Sequence, residues 1–257
     1  YDIKRTNYVT YDIDNNLGDQ MFKIAITLQY AKCHDKSPIF FTSNNFSYFN
    51  IETLSLDEKE NFDFKQIKIE HHTRVTDLSK IEGNVELVGN FQSFNSIYDF
   101  KEKLQDIFFH NEDVMYKAYD LYQKIKKNIG NESDDNYVTV HVNKESYDES
   151  YYAKAYDIVS NLINSKGVYG TKHIVVVSND IKWCRENMKI KNADKIHFVE
   201  EENEYIQMVL MSFFTHNILS DSTLSWWGAF LSNQKEKTVT ISSKYSSPIN
   251  GANWIIV

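Results

Sequence analysis

Only two cysteines, Cys33 and Cys184, occur among the 257 residues, and they stand far apart in no metal-ligating or redox spacing. A disulfide framework and a cysteine-built zinc site are thereby set aside, and both thiols are expected to be reduced and buried. Glycine occurs eight times, never as Gly-x-Gly-x-x-Gly, so a dinucleotide fingerprint has no support. Arginine appears only as Arg5, Arg74 and Arg185, and the formal net charge is -8. Phosphate backbones are held mainly by Lys and Arg, which excludes nucleic acid as an expected partner. A single small anion is still admissible, because one phosphate needs only a few local donors. No apolar run approaches the roughly 18 to 20 residues that cross a bilayer, and no cleavable signal opens the chain. The expectation is a soluble, cytoplasmic protein without a membrane segment, with an anchor or domain upstream of Tyr1 left open.

What the sequence has is apolar mass. Hydrophobic residues make up 42% and aromatics 14%, including 17 Tyr and 16 Phe, a composition that folds around its own core. Residues 7–14 alternate as a strand, 15–20 carry the Asn and Gly of a tight turn, and 21–35 have helical periodicity. A second strand at 39–44 completes a βαβ unit, which implies a parallel sheet. Residues 46–80 read as irregular, 84–93 as a strand ending in a loop, and 96–109 and 112–129 as helices. The stretch 130–136 is the clearest linker, so domains are expected at 1–130 and 131–257. Beyond it strands at 137–142, 173–180, 195–200, 216–221 and 238–243 alternate strictly with helices. That is the pattern of a doubly wound α/β sheet, whose ligands sit beyond the carboxyl ends of the strands. The loops after Val142, Ser178, Val199 and Leu219 are therefore the candidate site.

The stretch from Ser220 to Leu231 is the richest of these. Asp221, Ser222, Thr223 and Ser225 precede or open a helix whose N–H groups and dipole suit a phosphate; ordinary capping, with Trp226 and Trp227 in the core, accounts for the same residues. Gly18, between Asn15 and Gln20, either permits a turn or lets backbone approach a ligand. Asp12 and Asp14 have a spacing suited to a hard cation, but on a strand they read as a solvated end. His71 and His72 lack a partner at ligand spacing, and the sequons at Asn45 and Asn131 carry little weight.

Together these segments resemble the α-1,2-fucosyltransferase family of glycosyltransferases over nearly the whole chain and in the same order. The family's Gly-Gly-Leu-Gly-Asn-Gln turn is matched by Asn15 to Gln20, its aromatic-Gln-Ser by Phe91-Gln92-Ser93, and its Ser-Asp-Asp-Ile-x-Trp by Ser178 to Trp183. Its Leu-Met-Ser helix is matched by Leu210-Met211-Ser212, and its closing Trp-Ile element by Trp254-Ile255. Most specific is Asn-Ser-Thr-Phe-Ser-Trp-Trp, matched by Asp221 to Trp227. The resemblance implies a GT-B-like α/β architecture, two Rossmann-like domains facing a cleft. It also implies an acceptor glycan served by the first domain, and a GDP-sugar, GDP-fucose in the first instance, held mainly by the second without metal or other cofactor.

One loop departs from the family. Where His-x-Arg-Arg-Gly-Asp-Tyr is expected, the chain reads His141-Val142-Asn143-Lys144-Glu145-Ser146-Tyr147, so both arginines and the aspartate are replaced. Arg presents a planar fork to phosphate, whereas Lys144 is a point charge and Asn143 is neutral. Either Lys144 suffices, or Arg5, Arg74 or Arg185 substitutes, or transfer is lost or redirected to another nucleotide sugar. An inverting displacement needs a base for the acceptor hydroxyl and donors for the leaving diphosphate. By position His141, Lys144 and Glu145 are the catalytic candidates. Asn143, Asn179, Asp180, Asp221, Ser222, Thr223 and Ser225, with Asn15, Gly18 and Gln20, are the donor-binding candidates. The rival readings are a carbohydrate-binding or scaffold module, and a metal-dependent transferase using Asp12 and Asp14.

Overall fold

In a computed structural model, the structure describes residues 7–13, 16–42, 48–70, 73–89, 91–92, 97–129, 133–190, 195–245 and 254–257. Asn15, Asp14, Arg5, His71, His72 and both sequon asparagines lie outside the described residues. The chain divides into two compact units, Tyr1–Asn111 and Glu112–Val257, each an α/β unit built on parallel strands.

In the first unit, β1 (Tyr8–Tyr11) leads into α1 (Leu17–His34) and then β2 (Ser37–Pro38), which pairs parallel with β1. The turn expected at 15–20 is largely helix. The Asn16 side chain accepts from the Asp19 N–H and caps α1, so Leu17 to Gln20 form its first turn, and Gly18 is not among the glycines with positive φ. The strand expected at 39–44 is β3 (Phe40–Thr42), and it pairs with β4 (Thr53–Ser55) in a separate two-stranded sheet. Residues 46–80 are more regular than expected, since β5 (Phe64–Ile69) runs parallel to β6 (Asn84–Gly89) over six residues. The main sheet has the order β2-β1-β6-β5. Cys33 is exposed on α1, against expectation, because it falls on the helix's solvent stripe beside exposed Lys32; Cys184 is buried. The unit ends with α2 (Lys101–Phe108).

The second unit begins with α3 (Glu112–Ile129), ahead of the compositional linker. Its Tyr122 packs edge-on against Phe214 at 5.1 Å, which ties the helix to this unit. The strands are β7 (Tyr137–Val142), β8 (His173–Ser178), β9 (Lys195–Phe198), β10 (His216–Ile218), β11 (Thr238–Ile241) and β12 (Ile255–Ile256). Between them lie α4 (Glu149–Ser165), α5 (Ile181–Asn187), α6 (Glu204–Ser212) and α7 (Thr223–Leu231). All six strands are parallel, in the order β12-β11-β10-β7-β8-β9. From β7 the chain builds outward to β9, then returns to the other side of β7 to lay down β10. The strand order therefore reverses between β7 and β10, where open α/β sheets bind ligands.

Both faces of this sheet are covered, and every residue of β7 and β8 is buried. One layer gathers Val138, Val140 and Val142 with Tyr152, Tyr156 and Val159 of α4 and Cys184 of α5. Elsewhere in the core α7 is buried along its whole length. Trp226 stacks on Phe230 at 4.8 Å and meets Trp227 edge-on at 5.2 Å. Gly228 marks the closest approach of α7 to α6, since a Cβ there would stand 2.8 Å from the Met208 carbonyl oxygen.

Candidate functional site

The loops that leave β7 and β10 meet at the reversal point through one carboxylate. Asp221 Oδ1 accepts from Ser146 Oγ at 2.6 Å and from Asn143 Nδ2 at 3.1 Å. Among the described residues no group hydrogen-bonds the second oxygen, Oδ2. Beneath this junction lies His141, the penultimate residue of β7. It is buried, its Nδ1 is 2.7 Å from Ser220 Oγ, and Ser220 Oγ in turn accepts from the Ser222 N–H at 3.1 Å. Burial holds the imidazole down to about 4, against the opposing field of Asp221, so it is neutral at pH 7. The sequence thus spends this histidine on fixing the start of the β10 loop from below.

Two tyrosines of α4 complete that support. Tyr152 donates its O–H to the His141 carbonyl at 2.9 Å, and Tyr151 donates to the Leu219 carbonyl at 2.6 Å. Burial raises both phenols well above their ordinary range, so they stay protonated donors.

The loop after β8 joins from the other side. Asn179 Oδ1 accepts from the Lys144 N–H at 3.1 Å, and its Nδ2 donates to Glu145 Oε2 at 2.8 Å. Lys144 Nζ donates to Asp180 Oδ2 at 2.7 Å, while Asp180 Oδ1 caps α5 at the Trp183 N–H. The hydrogen bond to Asp180 raises the lysine and the same bond lowers the aspartate, so the pair is charged on both sides. Glu145 is lowered by its bond from Asn179, so it is ionised at neutral pH.

An open depression of about 280 Å³, counting space shared with solvent, adjoins the junction. Ser146, Asp148, Ser220, Asp221, Ser242 and Lys244 line it. Asp148 caps α4 by accepting from the Ser150 and Tyr151 N–H groups and meets Lys244 Nζ at 3.0 Å. The bond from Ser150, then that from Lys244, holds its carboxyl down to about 2.

Asn143, Lys144, Glu145, Asn179, Asp180 and Asp221 thus converge on one hydrogen-bonded network. Ser222 is the N-cap of α7 and makes no side-chain cap bond, and Thr223 is its first helical residue. Ser225 is 1% exposed and donates to the Ser222 carbonyl at 2.9 Å, so the structure places it inside the helix packing. Gly18 and Gln20 lie in the first turn of α1 in the first unit, where Gln92 donates to Asp19 at 3.1 Å. Arg74 is exposed in the first unit, and Arg185 is paired with Glu200 and lies 5.1 Å over the Phe198 ring. Asp12 is ion-paired with buried Lys23 at 3.1 Å, and among the described residues no group of three or more His, Cys, Asp or Glu could hold a metal. Ser146, Ser220, Asp148 and Lys244 also border this junction and are not among the candidates that the sequence offers. Lys244 follows β11, so the rule that chose the other loops applies equally to it.

Comparisons with known proteins identify the family and the fold. A family model described as Glycosyl transferase family 11 matches residues 2–255. An alpha-1,2-colitosyltransferase of Escherichia coli is 26% identical over 203 residues, which are 73% of this chain and 65% of the relative. The O-antigen biosynthesis glycosyltransferase WbnK of Escherichia coli is 29% identical over 174 residues, 62% of this chain and 54% of that protein. The chain spans between half and two thirds of the length of these relatives. Among solved structures, the NodZ alpha-1,6-fucosyltransferase soaked with GDP-fucose matches with a TM-score of 0.57 at 11% identity, covering 88% of this chain and 93% of NodZ, a likeness of fold. With a family model matched almost from end to end, the chain belongs to glycosyl transferase family 11.

Proposed function

We propose that this chain transfers a deoxyhexose, fucose from GDP-fucose in the first instance, to a hydroxyl of an acceptor glycan with inversion at the anomeric carbon. The second unit holds the nucleotide sugar and the first serves the acceptor. One observation carries the reading. The β7 and β10 loops are latched at the sheet's reversal point, beside the N-terminus of α7, where a diphosphate is favoured by helix N–H groups and dipole. Lys144, Ser222 and Thr223 are the diphosphate partners in this reading, and Asn179 and Asp180 serve the nucleoside. The colitosyl transfer named for its Escherichia coli relative and the GDP-fucose soaked into the NodZ fucosyltransferase support the donor class. Catalysis then rests on positioned donors that receive the leaving charge, and no step calls for a metal.

The test is a thermal-shift panel of GDP-, UDP- and dTDP-sugars, followed by hydrolysis and transfer assays on each that binds. GDP-sugars should raise the melting temperature and the others should not; a preference for UDP- or dTDP-sugars overturns the donor assignment. The binding-module reading has its own observation, the commitment of Lys144 to Asp180 where the family pattern has arginine. Glycan binding without any nucleotide-sugar binding would establish it.

A further inference from the structure

The junction between the β7 and β10 loops holds one carboxylate, and it stands on the opposite loop from the family pattern. In that pattern the β7 loop carries Asp at the position of Ser146, and the β10 loop carries Asn at the position of Asp221. In this chain the two positions are exchanged in character, and their side chains are in direct contact at 2.6 Å. A contact between a serine hydroxyl and a carboxylate keeps one negative charge where the two loops touch, where two carboxylates would repel.

Asp221 is held as a positioned base is held. Asn143 and Ser146 both donate to Oδ1, which fixes the carboxylate plane, while Oδ2 has no hydrogen-bond partner among the described residues. The residue lines the depression with Lys244, Ser220 and Ser242. The other candidates are less suited. His141 is buried with Nδ1 engaged by Ser220, and Glu145 is bonded to Asn179 and does not line the depression.

We propose that Asp221 is the catalytic base of this chain, a role that rests on the sugar-transfer reading above. The acceptor hydroxyl gives its proton to Asp221 Oδ2 as its oxygen bonds to the anomeric carbon. The bond from that carbon to the diphosphate oxygen breaks, and GDP leaves with the electron pair. The proton passes from the carboxyl to solvent after product release.

Asp221→Asn isolates this role, since the amide oxygen still accepts from Ser146 and Asn143 and only Oδ2 is lost. GDP affinity and melting temperature should stay within about threefold and a few degrees of the parent. Turnover of GDP-fucose by transfer to water should fall by about 100-fold or more, the ordinary worth of a general base. Ser146→Asp/Asp221→Asn returns one carboxylate to the junction from the other loop, and it should regain at least about tenfold over Asp221→Asn. Turnover by Asp221→Asn within about fivefold of the parent overturns the assignment. So does a loss of GDP affinity and melting temperature in parallel with turnover, or a double variant no better than Asp221→Asn. A parent chain that binds no GDP-sugar, or binds GDP without turning over GDP-fucose, removes the sugar-transfer reading itself and the base with it.

Discussion

Acidification should weaken the fold through two buried histidines of the second unit. His141 is 7% exposed with its ring bonded to Ser220; His216 is 1% exposed, and among the described residues neither of its nitrogens has a hydrogen-bond partner, Asp135 standing 3.7 Å from Nε2. Burial holds both imidazoles to about 4 from an ordinary 6.5, despite the opposing fields of Asp221 on His141 and Asp135 on His216. In the unfolded chain both bind protons near 6.5. Between pH 6.5 and 4 the unfolded state therefore carries more protons than the folded one, and stability falls as pH falls. Integrated from pH 7 to pH 5, each histidine contributes about 2 kcal/mol of loss, and the pair about 4. Depressed carboxylates such as Asp148 surrender their contribution only below their ordinary value near 4, outside this window. His197, also held low by burial, acts equally in parent and variant and cancels in a difference. Urea unfolding at pH 7, 6 and 5 of the parent and His141→Gln measures the effect. The variant should lose about 2 kcal/mol less than the parent between pH 7 and 5. Equal losses in both proteins would refute the assignment of a neutral, buried His141.

Gly228→Ala should lower the melting temperature by a few degrees, because a methyl 2.8 Å from the Met208 carbonyl costs about 1 to 3 kcal/mol of overpacking against about 1 kcal/mol of helix propensity gained; a rise would show that α6 and α7 can part freely. Tyr151→Phe removes the donor to the Leu219 carbonyl and should cost about 1 to 3 kcal/mol in urea unfolding, with no change telling against that bond. Lys144→Ala, removing an exposed cation beside the junction, should weaken GDP binding several-fold in titration calorimetry at low salt and leave the melting temperature unchanged; unaffected affinity would remove Lys144 from the diphosphate site.

The second unit was legible because each of its long strands is buried on both faces and flanked by helices with clear caps. Its sheet order then places the β7 and β10 loops together without any residue-level assumption. The first unit was harder. β5 is an edge strand with exposed Lys65, Gln66 and Lys68, so the sequence shows little of the apolar signal that marks a strand. Leu17 to Gln20 look like a turn because of Asn16 and Gly18, yet Asn at a cap starts a helix and glycine in the first turn costs it little. At the site, the loops were legible but the pairings were not. Lys144 with Asp180, and Ser146 with Asp221, join residues distant in sequence, and nothing local says which polar side chain will be spent on which neighbour. Ser225 shows the same limit, since a hydroxyl in the first turn of a helix reads alike whether it faces a ligand or its own backbone.

The seating of α7 has a bearing on selectivity. A helix whose backbone presses against its neighbour through a glycine, with two indoles locked into the interior, cannot slide or turn to follow differently shaped guests. If the proposed diphosphate site at its leading end holds, that end is a rigid anvil, and tolerance for one sugar over another would then be written in the surrounding loops.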